Sequence, residues 1–168
     1  MKTFKLKWHK IKNWEYWPMQ AVYYPIMPVW LFLAIRARSF FFFNAANPTI
    51  KNGGMAMESK KEIYDIMPSE SIPKTIYFTG NRSVDTILKA AAMRQIDFPF
   101  IVKPDVGMKG LAVQIIKDKD ELGAYLKKST GDLLVQELVE YKNEVGIFYC
   151  RIPGESNGKI TGIVHKKC

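Results

Sequence analysis

Lys103, Gly107, Lys109 and Gly110 fall together in the stretch Phe98-Pro-Phe-Ile-Val-Lys103-Pro-Asp-Val-Gly107-Met-Lys109-Gly110. A short apolar strand ends on a lysine, Pro104 stops the strand, and two glycines three residues apart bracket a second lysine. Glycines let backbone N–H groups come close to a ligand, and successive N–H groups beside cationic side chains form a concavity for anions. The chemistry open to such a loop is holding a phosphate chain, which makes the chain a candidate nucleotide binder. The spacing matches neither the dinucleotide fingerprint nor the Walker A pattern. Taken alone, two glycines between strands are commonly only a turn.

The other charged residues at informative places are Lys60 with its neighbour Lys61, Glu137 at the end of the apolar run Leu133-Leu-Val-Gln-Glu137, and Glu144 seven residues later. Taken singly, Lys103 reads equally as a solvated strand end, and Glu137 and Glu144 as surface carboxylates. His9 and His165 have no metal-like spacing, and the sequence contains no Ser-His-Asp set and no Cys/His zinc pattern. Cys150 and Cys168 make no disulfide framework and are compatible with a reducing compartment. Cys150, within an apolar strand, is expected to be a small buried hydrophobe.

The elements that must position these groups follow from pattern and punctuation. Residues 59–67 predict a short helix that stops before Pro68, and residues 75–78 a short strand. Ser83 is an N-cap for a helix to about residue 95, with Val84, Ile87, Leu88 and Ala91 on one face. Residues 99–103 and 111–116 predict strands, the second with Val113 and Ile115 on one face. Asp118 and Glu121 form a capping-box-like start to a helix that turns Leu122, Tyr125 and Leu126 inward. Residues 132–137 predict an apolar strand, and 144–151 with 159–165 a hairpin around Pro153-Gly-Glu-Ser-Asn-Gly158. Strands joined by turns and interleaved with helices predict an α+β fold with a largely antiparallel sheet.

In this order and spacing, Ser59-Lys60, Phe100-Ile-Val-Lys103-Pro, Gly107-Met-Lys-Gly110, Gln136-Glu137-Leu-Val139 and Glu144 resemble the ATP-grasp superfamily. Within it the chain is similar to D-alanine–D-alanine ligases and carbamoyl-phosphate-synthase-like ligases, over about residues 59–151. The resemblance implies an ATP-grasp-type mixed or antiparallel sheet with flanking helices. It implies that Lys103 reaches the α-phosphate and the adenine side of ATP, and that Lys60 is the second nucleotide lysine, with Lys61 competing for the role. The loop 105–110, with Gly107, Lys109 and Gly110, would close over the β- and γ-phosphates. Glu137 would meet the adenine amino group, backbone groups of Leu138 and Val139 the purine edge, and Glu144 the ribose hydroxyls. A lysine on a fixed strand end suits phosphate, strand-edge backbone can pair with adenine as with another strand, and a carboxylate accepts ribose O–H bonds in a charge-assisted way. Lys109 departs from the small hydroxyl residues usual in the family's loop, though a lysine there is not out of place electrostatically beside phosphate.

The family's Mg²⁺-holding acidic and Asn residues and its arginine at the transferred phosphoryl group come on later strands, and no such motif occurs here. The resemblance therefore implies the ATP-binding portion of a carboxylate–amine or similar ligase working through an acyl phosphate. On that expectation the sequence is the N-terminal part of a longer enzyme, inactive alone, with Mg²⁺ bound only in the intact protein. The carboxylate and acceptor substrates are not legible.

The chain has 168 residues, 48% hydrophobic and 24% charged, enough for one domain or two small ones with a real core. Its formal net charge is +9, and residues 1–60 hold nine Lys/Arg against Glu15 and Glu58, which is +7 of the nine. All four tryptophans (Trp8, Trp14, Trp17, Trp30) lie in the first thirty residues, and Phe40–Phe43 follow. The twenty residues 16–35 carry no charge. That length and its cationic, aromatic flanks match a membrane anchor, but Pro18, Pro25 and Pro28 interrupt a plain spanning helix. A signal peptide fits poorly, since the apolar run is long and aromatic with no small-residue cleavage site. Three arrangements remain: a helix over about 28–43 lying in the membrane interface, a kinked crossing, or an aromatic extension packed on the globular part. The expected organisation is thus an aromatic, basic segment over 1–47, which either contacts a membrane surface through 8–43 or packs on the globular part, and an incomplete ATP-grasp domain over 48–168. In that domain, 48–80 is a remnant of the preceding domain and 81–168 the nucleotide lobe. The expected location is cytoplasmic, on the membrane's cytoplasmic face if associated. A non-enzymatic membrane-associated binding module is the alternative. Nucleic acid is excluded as a partner because the apolar run is too continuous for a base-stacking groove.

Overall fold

In the computed structural model, which describes residues 2–13, 16–55, 57–80, 82–107, 110–141 and 143–166, the chain divides into two units, Met1–Ile63 and Tyr64–Cys168. The boundary expected near residue 47 falls within the first of them.

The first unit is helical. It contains α1 (Lys2–Lys12), α2 (Met19–Tyr23), α3 (Met27–Ala37) and the opening of α4 (Lys60–Ile66), with 3₁₀ turns at Tyr24–Ile26, Phe42–Ala46 and Lys51–Gly54. The prolines do not break one long helix; they start short ones. Pro18 precedes α2, and Pro25 and Pro28 sit in the first turns of the 3₁₀ segment and of α3, where a missing N–H costs nothing because no intrahelical partner exists there. The helix expected to reach residue 43 ends at Ala37. Arg38 turns left-handed at φ 51° and donates its N–H to the carbonyls of Ala34 and Ile35, and the reversal brings Phe40 and Phe42 to within 6.1 and 5.8 Å of the Trp30 ring. The Asn-Gly-Gly signal forms the turn it predicts. Gly53 has φ 62°, and a Cβ there would stand 2.9 Å from the Asn44 Cα, while the Asn47 side-chain amide donates to the Gly53 carbonyl at 3.0 Å.

The second unit is mixed helix and antiparallel sheet. Its strands are β1 (Thr75–Phe78), β2 (Phe100–Pro104), β3 (Gln114–Ile116) and β4 (Leu133–Glu137), in the spatial order β1-β4-β2-β3; β5 (Glu144–Cys150) and β6 (Lys159–Lys166) form a separate hairpin. Two helices, α5 (Val84–Met93) and α6 (Lys119–Lys128), pack their apolar sides onto one face of the four-stranded sheet. Both start where local chemistry dictates. The Ser83 side chain accepts from the Thr86 N–H, and the Asp118 side chain from the Glu121 N–H at 2.8 Å. The Glu121 carboxylate reaches back to the Lys117 N–H at 2.8 Å.

Register decides which residues face the core. Phe100 stands opposite Glu137, Val102 opposite Val135 and Pro104 opposite Leu133, so Phe100, Val102, Val135 and Leu133 bury together with Ile87, Ala91, Ile116, Leu122 and Tyr125. Side chains of this size contribute about 1.5–3 kcal/mol each when fully buried. β3 is shorter than predicted because Gly110 and Ala112 take positive φ, 74° and 58°, which a ladder cannot accommodate. Ile116 is its core residue; Val113 and Ile115 share the other, largely exposed side. Cys150 is exposed rather than buried. It ends a hairpin whose large apolar residues, Ile147, Phe148, Tyr149 and Ile163 among them, are all exposed.

Leu122→Ala is expected to lower stability by about 2–5 kcal/mol and Leu111→Ala, at an exposed site, by less than about 0.5 kcal/mol, both read by urea denaturation. Because a two-stranded ribbon alone is marginal, amide exchange in β5 and β6 should be far faster than in β2 and β4, measurable by hydrogen–deuterium exchange.

Candidate functional site

The sheet face opposite the core carries Thr75 and Tyr77 from β1, Leu134 and Gln136 from β4, and Ile101 and Lys103 from β2, with Ile115 of β3 alongside Ile101. The alternation of side chains along a strand puts them there. Lys103 sits one residue before the strand ends, half-buried, and its Nζ donates to the Tyr64 hydroxyl at 2.9 Å and to Gln136 Oε1 at 2.8 Å. The ammonium also lies 5.3 Å from the centre of the Tyr64 ring, a favourable position over an aromatic face. Its hydrogen-bond partners are neutral, and among the described residues no carboxylate pairs with it.

Gln136, 6% exposed, relays this contact. Its Nε2 donates to Thr75 Oγ1 at 2.7 Å, and the Thr75 hydroxyl donates to the Pro73 carbonyl at 2.7 Å. The sense of the amide follows from its neighbours, since a lysine only donates and the Thr75 proton is already committed. A buried amide needs such partners, because leaving it unsatisfied costs about 1–3 kcal/mol.

After Pro104 the chain leaves the sheet. The Asp105 N–H still donates to the Asp132 carbonyl at 3.0 Å, and its side chain is buried. Gly107 and Gly110 are exposed; a Cβ on Gly107 would press on Pro104 at 3.2 Å. Lys109, predicted for this loop, lies outside the described residues. The far side of the loop is fixed where the Tyr125 hydroxyl donates to the Ala112 carbonyl at 2.8 Å, and burial pushes that phenol's pKa up. A cleft of about 460 Å³ opens there, with Ala112, Val113, Tyr125 and Lys128 on its walls. None of the described residues among the predicted site residues lines it.

The remaining candidates are carried by other elements. The Glu137 Oε1 accepts from the Lys74 N–H at 2.8 Å, and the Glu137 N–H donates to the Lys74 carbonyl at 3.0 Å, so this residue closes the end of the β1–β4 pair. Leu138 is half-buried and Val139 exposed just beyond the strand. Glu144 opens β5, exposed and opposite Lys166. Lys60 is the first residue of α4, half-buried like Lys61, after a Ser59 side chain that accepts from the Glu62 N–H at 3.1 Å. Both lysines belong to the first unit.

Sequence reasoning missed Tyr64, Gln136 and Asp132. Gln136 carried a signal: an amide inside the run Leu133-Leu-Val-Gln requires a polar partner. Asp132 collects the Tyr77 hydroxyl at 2.6 Å and the Gly80 N–H at 3.3 Å, while the Arg82 guanidinium donates to the carbonyls of Gly80 and Gly131. The tyrosine's hydrogen bond, then the Gly80 N–H, holds the Asp132 carboxyl below its ordinary range. The same bond, aided by burial and by the charges of Asp132 and Asp105, pushes Tyr77 up to about 12.

No protein-family model matches the chain, and no curated protein does. Solved structures resemble it in part. D-alanine–D-alanine ligase from Bacillus anthracis is 18% identical over 70% of this chain and 43% of its own, with a TM-score of 0.42. D-alanine–D-alanine ligase from Helicobacter pylori is 20% identical over 62% of this chain and 32% of its own, at 0.45. VanG D-Ala:D-Ser ligase from Enterococcus faecalis is 17% identical over 55% of this chain and 26% of its own, at 0.43. The chain thus spans less than half the length of each of these structures. The identities and TM-scores are low, and the reading of function rests on the chain's own residues.

The Tyr77 phenolate should appear in the ultraviolet spectrum only near pH 12, and Asp132→Asn should bring it down toward about 10. The depressed Asp132 pKa stabilises the fold above the ordinary carboxylate value of 3.8 and that contribution is lost as pH falls through the lowered value. The raised Tyr77 pKa stabilises below pH 10.0 and is lost as pH rises toward 12. Denaturation midpoints against pH should therefore be flatter at both extremes in Asp132→Asn.

Proposed function

We propose that the second unit is the nucleotide-binding part of an ATP-dependent ligase that joins a carboxylate to an amine or similar nucleophile. The observation that carries this is Lys103: a half-buried ammonium at a strand end, held by two neutral oxygens, just before a loop with two glycines. A charge in a half-buried place with only neutral partners gains more from an anionic ligand than one already paired. The Tyr64 and Gln136 oxygens fix where the ammonium sits without neutralising it.

In this reading Lys103 takes the α-phosphate, and the backbone of 105–110 with Lys109 covers the β- and γ-phosphates. The apolar neighbours Ile101 and Ile115 lie on the same sheet face and suit a purine ring. Glu137 has one oxygen committed to Lys74, which leaves Oε2 for the adenine amino group, beside the backbone of Leu138 and Val139. Glu144 accepts from the ribose hydroxyls. The reaction is then phosphoryl transfer: a substrate carboxylate oxygen bonds to the γ-phosphorus, ADP leaves, the amine bonds to the acyl carbon, and inorganic phosphate departs. Positioning and charge stabilisation do most of the work in such transfers. The resemblance implies Mg²⁺ as well, but among the described residues no group of three or more His, Cys, Asp or Glu fits a metal ion, and no step is assigned to it.

Titration of the whole chain with a non-hydrolysable ATP analogue should show saturable binding. Lys103→Met should weaken it by about tenfold or more, equivalent to about 1.4 kcal/mol. Gln136→Glu should weaken it comparably, because a carboxylate then meets the ammonium from inside the protein. Equal affinity in the parent and in both variants would sink the assignment.

A further inference from the structure

We infer that the first unit docks on the surface of a bilayer containing anionic lipid. Its α3 exposes apolar side chains around most of its circumference: Val29 57%, Phe32 62% and Ile35 74%, with Leu31 and Leu33 at 44% and 40%. Only Ala34 is buried there. Phe40 and Phe41, past the left-handed Arg38, are 64% and 70% exposed, and Tyr24 is 68% exposed. So many exposed large apolar side chains on one helix and the turns beside it mark a partner or a membrane.

Charge complementarity selects the occupant. Residues 1–57 contain eight Lys/Arg and one acid, Glu15, which is +7. Lys7, Lys10 and Lys12 on α1, Arg36 and Arg38 at the end of α3, and Lys51 are all exposed. Two copies of so basic a unit repel each other, whereas an anionic leaflet attracts basic residues and accepts apolar ones beneath its headgroups. The aromatic set fits the same place. Trp8, Trp17, Tyr16 and Tyr23 are exposed, and rings with one polar edge favour the membrane interface.

The depth is limited. At about 1.5 Å per residue, the eleven residues of α3 extend about 16 Å, against about 30 Å of hydrocarbon. Among the described residues no helix is long and apolar enough to cross a membrane. The geometry is therefore insertion from one side, with the arginines at headgroup level.

Because all four tryptophans lie between residues 8 and 30, intrinsic fluorescence of the full chain reports on this unit alone. The full chain should float with vesicles of phosphatidylcholine containing about a third phosphatidylserine. Its emission should shift to the blue and be quenched by brominated acyl chains. The joint change Arg36→Gln with Arg38→Gln should weaken partitioning by at least about tenfold, since each cation near such a surface contributes about fivefold. Salt of about 1 M, with a screening length of about 3 Å, should weaken it similarly. Phe32→Ser with Ile35→Ser replaces side chains that touch little of the protein, and should abolish the quenching. Absence of flotation with anionic vesicles overturns the inference. So does a concentration-dependent dimer that Phe32→Ser with Ile35→Ser dissolves while vesicle binding is unchanged, because the face would then belong to a second copy.

Discussion

The antiparallel register of β2 on β4 is the constraint on which the second unit depends. It is a five-residue pairing, from Phe100 opposite Glu137 to Pro104 opposite Leu133. In this register Val102 and Val135 point into the core with Phe100 and Leu133, while Ile101, Lys103, Leu134 and Gln136 point the other way. A slip of one residue would exchange the two sets, driving an ammonium and an amide among Ile87, Leu122 and Ile116. The fold and the candidate site are thus specified by the same hydrogen-bond ladder. β1 and β3 add to the two outer edges of this pair, and α5 and α6 cover the core face.

The polar face is built differently from a surface ion pair. The exposed Lys119–Asp85 bridge, at 2.9 Å, joins two solvated side chains and contributes little. Lys103 is half-buried, and its neighbours supply oriented oxygens without formal charge. These oriented oxygens hold the ammonium in place without a formal countercharge. Asp132 is the contrasting node. Its carboxylate is already spent on Tyr77 and on the Gly80 N–H, so it ties the ends of β1 and β4 to the turn before α5 and serves structure.

What was legible in the sequence was local. Ser83, Asp118 and Glu121 cap helices because a side chain three residues from a helical N–H needs no distant partner to act. The strands at 75–78 and 133–137 were readable from apolar runs bounded by turn residues. The shortened β3 was not, because nothing in Leu111-Ala-Val announces that Ala112 adopts φ 58°; that conformation is held by a hydrogen bond from Tyr125, thirteen residues on. Cys150 was misplaced for a related reason: an apolar strand implies burial only when something covers it, and β5 pairs with β6 alone in its sheet. Within the site, Lys103 could be singled out by its place before Pro104. Tyr64 and Gln136 could not be joined to it, since they are 39 and 33 residues away in sequence and meet only through the sheet.

The hydrogen bonds from Lys103 to Gln136, Thr75 and Pro73 all run in one direction. Each link fixes the next, so the row has a polarity, like a chain of magnets laid head to tail. Its far end stops at a backbone carbonyl and its near end is an ammonium that can only give protons away. A molecule approaching the near end meets the ammonium as a donor. In the nucleotide-binding reading proposed above, the orientation of the buried amide would favour oxygen-rich anions over amines and guanidinium groups. Such a preference would require no pocket shaped to a particular outline; it would follow from a glutamine whose two ends are each matched to a partner.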